Sequence, residues 1–357
     1  MNNGLKRFFI TFLMIAMGAL ICVAALIVYV DPFFHYHRPL TFFPYVVDDQ
    51  VDMNPGLARH MDYDSVLLGS SMTVAFDTSK FADKMGLKTQ KLSYNGAYPK
   101  DQSNIMQILF DAKPAKESGR TTSVDRVFLG IDELNYSADI EQTKYPITDY
   151  LYNDNILDDV NYIFNKDVLL DYVMRPAVDR KDASDWNTIY KMWWQPQHYN
   201  LANIRLYYTP APEEVDMTPV SEYLDGIAAN FDANILPYIE AHPDTTFTVF
   251  YPPYSILYWY DAYRQQQIDT IVEKYRYMTN RLLEYDNVEV FFFQNRAEII
   301  CDFNNYADYT HYRPEVCDWM VDCFSNGENK VTKDNLDTEL ELLRGLAMDY
   351  DYDSIDL

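Results

Sequence analysis

The chain has 357 residues, 48% of them hydrophobic, enough for one large core or two small ones. Its 54 acidic residues against 29 basic ones give a formal net charge of −25. That balance excludes a nucleic-acid partner, which would require clustered Lys and Arg, and it disfavours adhesion of the folded part to anionic lipid.

An almost unbroken apolar run from Phe8 to Val30 exceeds the roughly 20 residues that cross a bilayer as a helix. Lys6 and Arg7 precede it and Asp31 follows, so the positive-inside rule predicts a cytoplasmic tail over 1–7 and an extracytoplasmic remainder. The run is longer than the ~7–15 apolar residues of a signal peptide and no A-x-A site follows it. Residues 8–30 are therefore read as an uncleaved single-pass anchor. Ile21 before Cys22 is too bulky for lipoprotein processing.

Residues 31–61 are rich in proline and aromatics ("DPFFHYHRPLTFFPYVVDDQ") and read as a juxtamembrane stalk lying against the folded domain. His35 and His37 can share one side of an extended strand, but two ligands without a third do not make a metal site, and none is expected.

From Asp62 to Met348 strand candidates alternate with helical stretches. "SVLLGSS" is the first strand, followed by a short helix that Asp77 can cap and Gly86 can end. "QKLSYNGAYPKD" reads as strand then turn, "QSNIMQILFDAK" as helix, and "VDRVFLGIDEL" as a strand ending near Asp132. After a helical, aromatic insertion over about 136–216, "TTFTVFYPPYS" is a strand halted by Pro252 and Pro253. One long helix is expected over 261–285, then the strand "NVEVFFFQ", then a helix with Pro314 in its first turn. Strands rich in Val, Ile, Leu and Phe, separated by helices, imply a parallel sheet covered on both faces. Trp193 and Trp194 in the insertion read as a hydrophobic anchor, with stacking on sugar rings as the alternative. The tail over 349–357 alternates Asp but lacks the glycine and distal glutamate of a calcium loop, and reads as solvated. Outside the membrane, Cys301, Cys317 and Cys323 allow one disulfide at most. Cys301–Cys317 is the expected pair, three free thiols the other reading.

In such a sheet, reactive groups gather beyond the carboxyl ends of the strands. Gly69-Ser70-Ser71, Asn95-Gly96 and Gly130-Ile131-Asp132 stand there, and Asp308 and His311 follow the last strand. A serine hydroxyl becomes a nucleophile when an imidazole takes its proton, and a carboxylate holds that imidazole in the required tautomer. Ser71, His311 and Asp308 supply those groups, and N–H groups near Gly96 and at Ser71 can hold an oxyanion. The plainer alternatives are a turn or capping role for Ser71, a surface position for His311 and a turn role for Gly96.

These blocks, in this order, resemble the SGNH/GDSL hydrolase superfamily. The resemblance covers roughly 62–132 and 245–324. It implies a three-layer, flavodoxin-like α/β domain with Ser71 as nucleophile, His311 as base, Asp308 as its partner and Gly96 as oxyanion donor. Ser70 stands at the aspartate position of the first block. Asp132 stands where the third block carries an asparagine donor, so Asn95 is considered as a substitute donor. The Gly-Ser-Ser form, the anchor and the outer domain are similar to the membrane-anchored branch that includes the teichoic acid D-alanyl transfer protein and polysaccharide O-acetylation partners. The resemblance implies an esterase or acyltransferase without a cofactor, acting on a cell-surface glycan or acyl donor. The alternative it leaves is a non-catalytic partner binding a glycan or a membrane-bound acyltransferase.

Overall fold

The computed structural model describes residues 3–111, 124–180, 183–190 and 198–356. Trp193 and Trp194 lie outside the described residues, and so does the end of the helix expected over 102–113.

The chain is an α/β protein built on a six-stranded sheet. Its strands are β1 (Ser65–Gly69), β2 (Thr89–Ser93), β3 (Arg126–Gly130), β4 (Thr246–Tyr251), β5 (Val288–Phe292) and β6 (Lys330–Val331), in spatial order β2-β1-β3-β4-β5-β6. The first five pair in parallel and β6 runs antiparallel to β5. The short β6, with Lys330 exposed, carries no alternation from which a strand is legible. From β1 the chain moves outward to β2, then returns past β1 to β3. That reversal opens a crevice beyond the carboxyl ends of β1 and β3, where open parallel sheets bind their ligands.

Both faces of the sheet are covered, as the continuous apolar strands require. On one face Phe128, Phe250 and Phe291 pack against Phe324 of the helix Pro314–Asn326, and Phe81 of the helix Ser79–Met85 meets Phe128 edge-on at 4.6 Å. On the other face helices Gln50–His60, Pro99–Asp111, Val220–Asn230, Ile268–Leu282 and Leu336–Asp349 form a second layer. Burying each large apolar side chain contributes about 1.5–3 kcal/mol.

One helix among the described residues, Asn3–Val30, is long and apolar enough to cross a membrane. It does not end in a free linker. Ile27 and Val30 are buried against the domain. Asp31 then turns the chain with a φ of 48°, and its buried carboxylate accepts N–H bonds from His35, Tyr36 and His37 and the hydroxyl of Tyr162. Phe33 stacks on Tyr162, 5.5 Å between ring centres. The segment 31–61 also contains a helix, Gln50–His60, with Asp49 as its cap and Pro55 inside it.

His35 and His37 are not paired: His35 Nε2 meets Asp159 Oδ1 at 3.0 Å, whereas His37 contacts the carbonyls of Arg38 and Val28. The single helix expected over 261–285 is two, Ile256–Arg264 and Ile268–Leu282, divided at Gln266, whose φ is 56°. Neither glycine nor proline announces that break. The expected Cys301–Cys317 bridge is absent, all four cysteines being thiols, with Cys317 buried on the helix Pro314–Asn326. The tail is not wholly solvated. Tyr352 is buried, stacks on Tyr260 at 4.8 Å and donates to the Ala347 carbonyl, while Asp351 and Asp353 face water.

Candidate active site

β1 ends at Gly69 because nothing larger fits. Its φ is 154°, and a Cβ there would lie 2.4 Å from Thr73 Cγ2. The chain then makes one 3-10 turn, Ser71–Thr73, capped by Ser70, whose Oγ accepts the Met72 N–H at 3.2 Å. Thr73 braces the turn by donating to the Ser70 carbonyl at 2.8 Å and by contacting Ser93 Oγ of β2 at 2.7 Å. Ser71, next after the cap, is lifted partly clear of the sheet end.

The imidazole comes from the loop after β5. Asp308 Oδ1 accepts the N–H groups of Thr310 and His311, closing a tight Asx turn. This leaves Oδ2 to contact His311 Nδ1 at 2.6 Å. On the far side of the ring, His311 Nε2 lies 2.8 Å from Ser71 Oγ. With Nδ1–H donating to Asp308, Nε2 has a free lone pair and accepts the Ser71 hydroxyl proton. The carboxylate, ring and hydroxyl thus stand in line across 240 residues of chain.

Three contacts hold that loop in place, the first of them to the serine turn. Tyr312 donates its hydroxyl to the Met72 carbonyl, Asn203 Nδ2 to the Ala307 carbonyl, and Ser255 Oγ to the Tyr309 carbonyl. Asn203 belongs to the helical insertion, so that segment takes part in shaping the site. None of the three bears a sequence signal beyond adjacency, Tyr312 to His311 and Ser255 to the strand-ending prolines.

Burial alone would raise the Asp308 carboxyl. The hydrogen bond and charge of His311, together with the two N–H groups, outweigh it and hold the group below its ordinary 3.8. Its contribution to stability is therefore present above pH 3.8 and is lost as pH falls through the lowered folded value. Thermal unfolding of wild type and Asp308→Asn, followed from pH 6 down to about 2, is expected to differ at the upper end and to converge below 3.8. A gap that stays constant throughout would count against the ion pair.

Gly96 follows β2 with a φ of 68°, a conformation that glycine adopts without strain. Among the described residues, neither its N–H nor that of Ser71 has a hydrogen-bond acceptor. Asn95 is engaged elsewhere: its N–H donates to Gln50 Oε1 at 2.7 Å and its Oδ1 accepts from Gln50 Nε2 at 3.3 Å. Asp132 is buried beneath the turn, where it accepts the Tyr254 hydroxyl, with Ser70 close by. Burial pushes its carboxyl above the usual range, against the pull of Ser70, Tyr254 and His311.

Beside it, fully buried Glu133 accepts from the Tyr258 hydroxyl and pairs with Lys274 of the helix Ile268–Leu282. A buried acid next to Asp132 has no periodicity to betray it in sequence. No group of three or more metal-ligating side chains occurs among the described residues. Comparison of the chain with family models, curated proteins and solved structures found no match.

Proposed function

We propose that this protein is a membrane-tethered serine esterase or acyltransferase of SGNH type, acting on ester-linked acyl groups of cell-surface glycans. The observation that carries the chemistry is the relay Ser71–His311–Asp308, with contacts of 2.8 and 2.6 Å. Ser71 Oγ attacks the acyl carbonyl while its proton passes to His311 Nε2. The Ser71 and Gly96 N–H groups hold the tetrahedral oxyanion. The bond to the leaving oxygen (sulfur, in a thioester) breaks, and His311 returns the proton to it. Water or a sugar hydroxyl then attacks the acyl-serine, giving its proton to His311, and the acyl group leaves while Ser71 recovers its own.

The glycan and the SGNH assignment rest on the sequence resemblance, and the outward orientation on Lys6 and Arg7. The Ser70–Asp132 pair supports the assignment in an altered form. The family's first-block acid is a serine here, and its third-block amide is an acid. The acid stands on the other block and stays beside Ser70.

A second reading, a non-catalytic partner that binds a glycan or a membrane-bound acyltransferase, is favoured by one observation: Asp132 offers no side-chain amide to an oxyanion. Fluorophosphonate labelling of the full chain in detergent separates the two. Labelled wild type with unlabelled Ser71→Ala and His311→Ala is the expected result. A folded wild type that stays unlabelled supports the partner.

A further inference from the structure

With Asp132 tied to Tyr254, and Asn95 to Gln50, neither of these two side chains is left to hold an oxyanion beside Ser71, where the Ser71 and Gly96 N–H groups are the backbone donors. The insertion brings a different group to the Gly96 turn. Lys144 is fastened by its own N–H, which donates at 2.9 Å to Asp101 Oδ2, the oxygen that also accepts the Tyr98 N–H. From that anchor its side chain runs across Gly96. A Cβ on Gly96 would lie 2.9 Å from Lys144 Cε and 3.4 Å from its Nζ.

Gly96 lacks a side chain because its backbone is left-handed, and the flexible end of the lysine lies over the space beside it. Asn135 holds the turn from the other side, donating to the Ala97 carbonyl at 2.9 Å.

Among the described residues, seven other lysines, at positions 80, 84, 88, 100, 166, 274 and 330, each hold a carboxylate. Lys144 forms no ion pair with any described residue, in a chain of net charge −25. Asp101 is the nearby opposite charge that acts on it, and at longer range. A cation left open over the glycine that carries an unclaimed N–H is suited to a negative charge that forms during a reaction.

We propose that Lys144 is the third support of the oxyanion, its ammonium standing in for the amide that Asp132 does not supply. This rests on Ser71 being the nucleophile. Removing one rigid oxyanion donor costs about 10²–10³ in kcat. Lys144 is exposed, so water screens its charge and the expected loss is about 10- to 100-fold.

The test uses the full chain in detergent, with p-nitrophenyl acetate as substrate and phenylboronic acid, which forms a tetrahedral anion on serine, as analogue. Lys144→Met is expected to lower kcat by that factor, to leave KM unchanged and to weaken phenylboronic acid in proportion. Lys144→Arg retains most of both. Wild-type kcat and boronate affinity in Lys144→Met overturn the assignment, and so do equal losses in Met and Arg, which mark a packing role. An unlabelled wild type without turnover brings down Ser71, and this proposal with it. A labelled, active wild type beside an unaffected Lys144→Met brings down Lys144 alone.

Discussion

Asp308→Asn is expected to lower kcat for p-nitrophenyl acetate by about 10⁴ while leaving the fold and the Ser71 position intact. The argument is one of protons. Asp308 Oδ2 can only accept, which places the single hydrogen of neutral His311 on Nδ1 and leaves Nε2 open to Ser71. An asparagine amide at the same position can donate to Nδ1. The ring then carries its hydrogen on Nε2, pointing at the hydroxyl whose proton it should take. The asparagine also offers no charge to the imidazolium that forms as Ser71 attacks. A decrease below about tenfold would show that the carboxylate does not govern the tautomer, and would weaken the whole relay.

Lys274→Ala is expected to destabilise the protein by about 3–5 kcal/mol, because it strands the fully buried Glu133 charge without its partner. Tyr258 still donates to that carboxylate but brings no positive charge. In a domain of this size the midpoint of thermal unfolding should fall on the order of 10 °C. The double variant Lys274→Met with Glu133→Leu removes both charges and fills the space, so it should recover most of the loss. If the single and double variants unfold together, the pair is not what holds that region. Glu133 adjoins Asp132, so the single variant should also loosen the crevice before the sheet melts.

The parts of this architecture legible in the sequence are local ones. β1, β3 and β4 are short apolar runs stopped by Gly or Pro, and the Asp308–His311 turn closes within four residues. Gly69 and Gly96 sit where the backbone must adopt positive φ. What stayed hidden depends on neighbours far along the chain. Tyr254 under Asp132, Lys274 beside Glu133 and Tyr312 against Met72 are ordinary residues until folding joins them. The helix Gln50–His60 was masked by Pro55 within it and by the polar residues around it. The break at Gln266 falls in a stretch of good helix formers, where tertiary packing overrides local preference.

The knot around Asp31 bears on how far this protein can search. A domain on a slack leash would sweep a broad volume above the bilayer. Here the end of the helix Asn3–Val30 is held to the core by Ile27 and Val30, and the first turn beyond it is cinched by three N–H groups and the Tyr162 hydroxyl. On the proposed function, the crevice is carried at a set distance from the helix that would lie in the bilayer, and the acyl donor must reach that level.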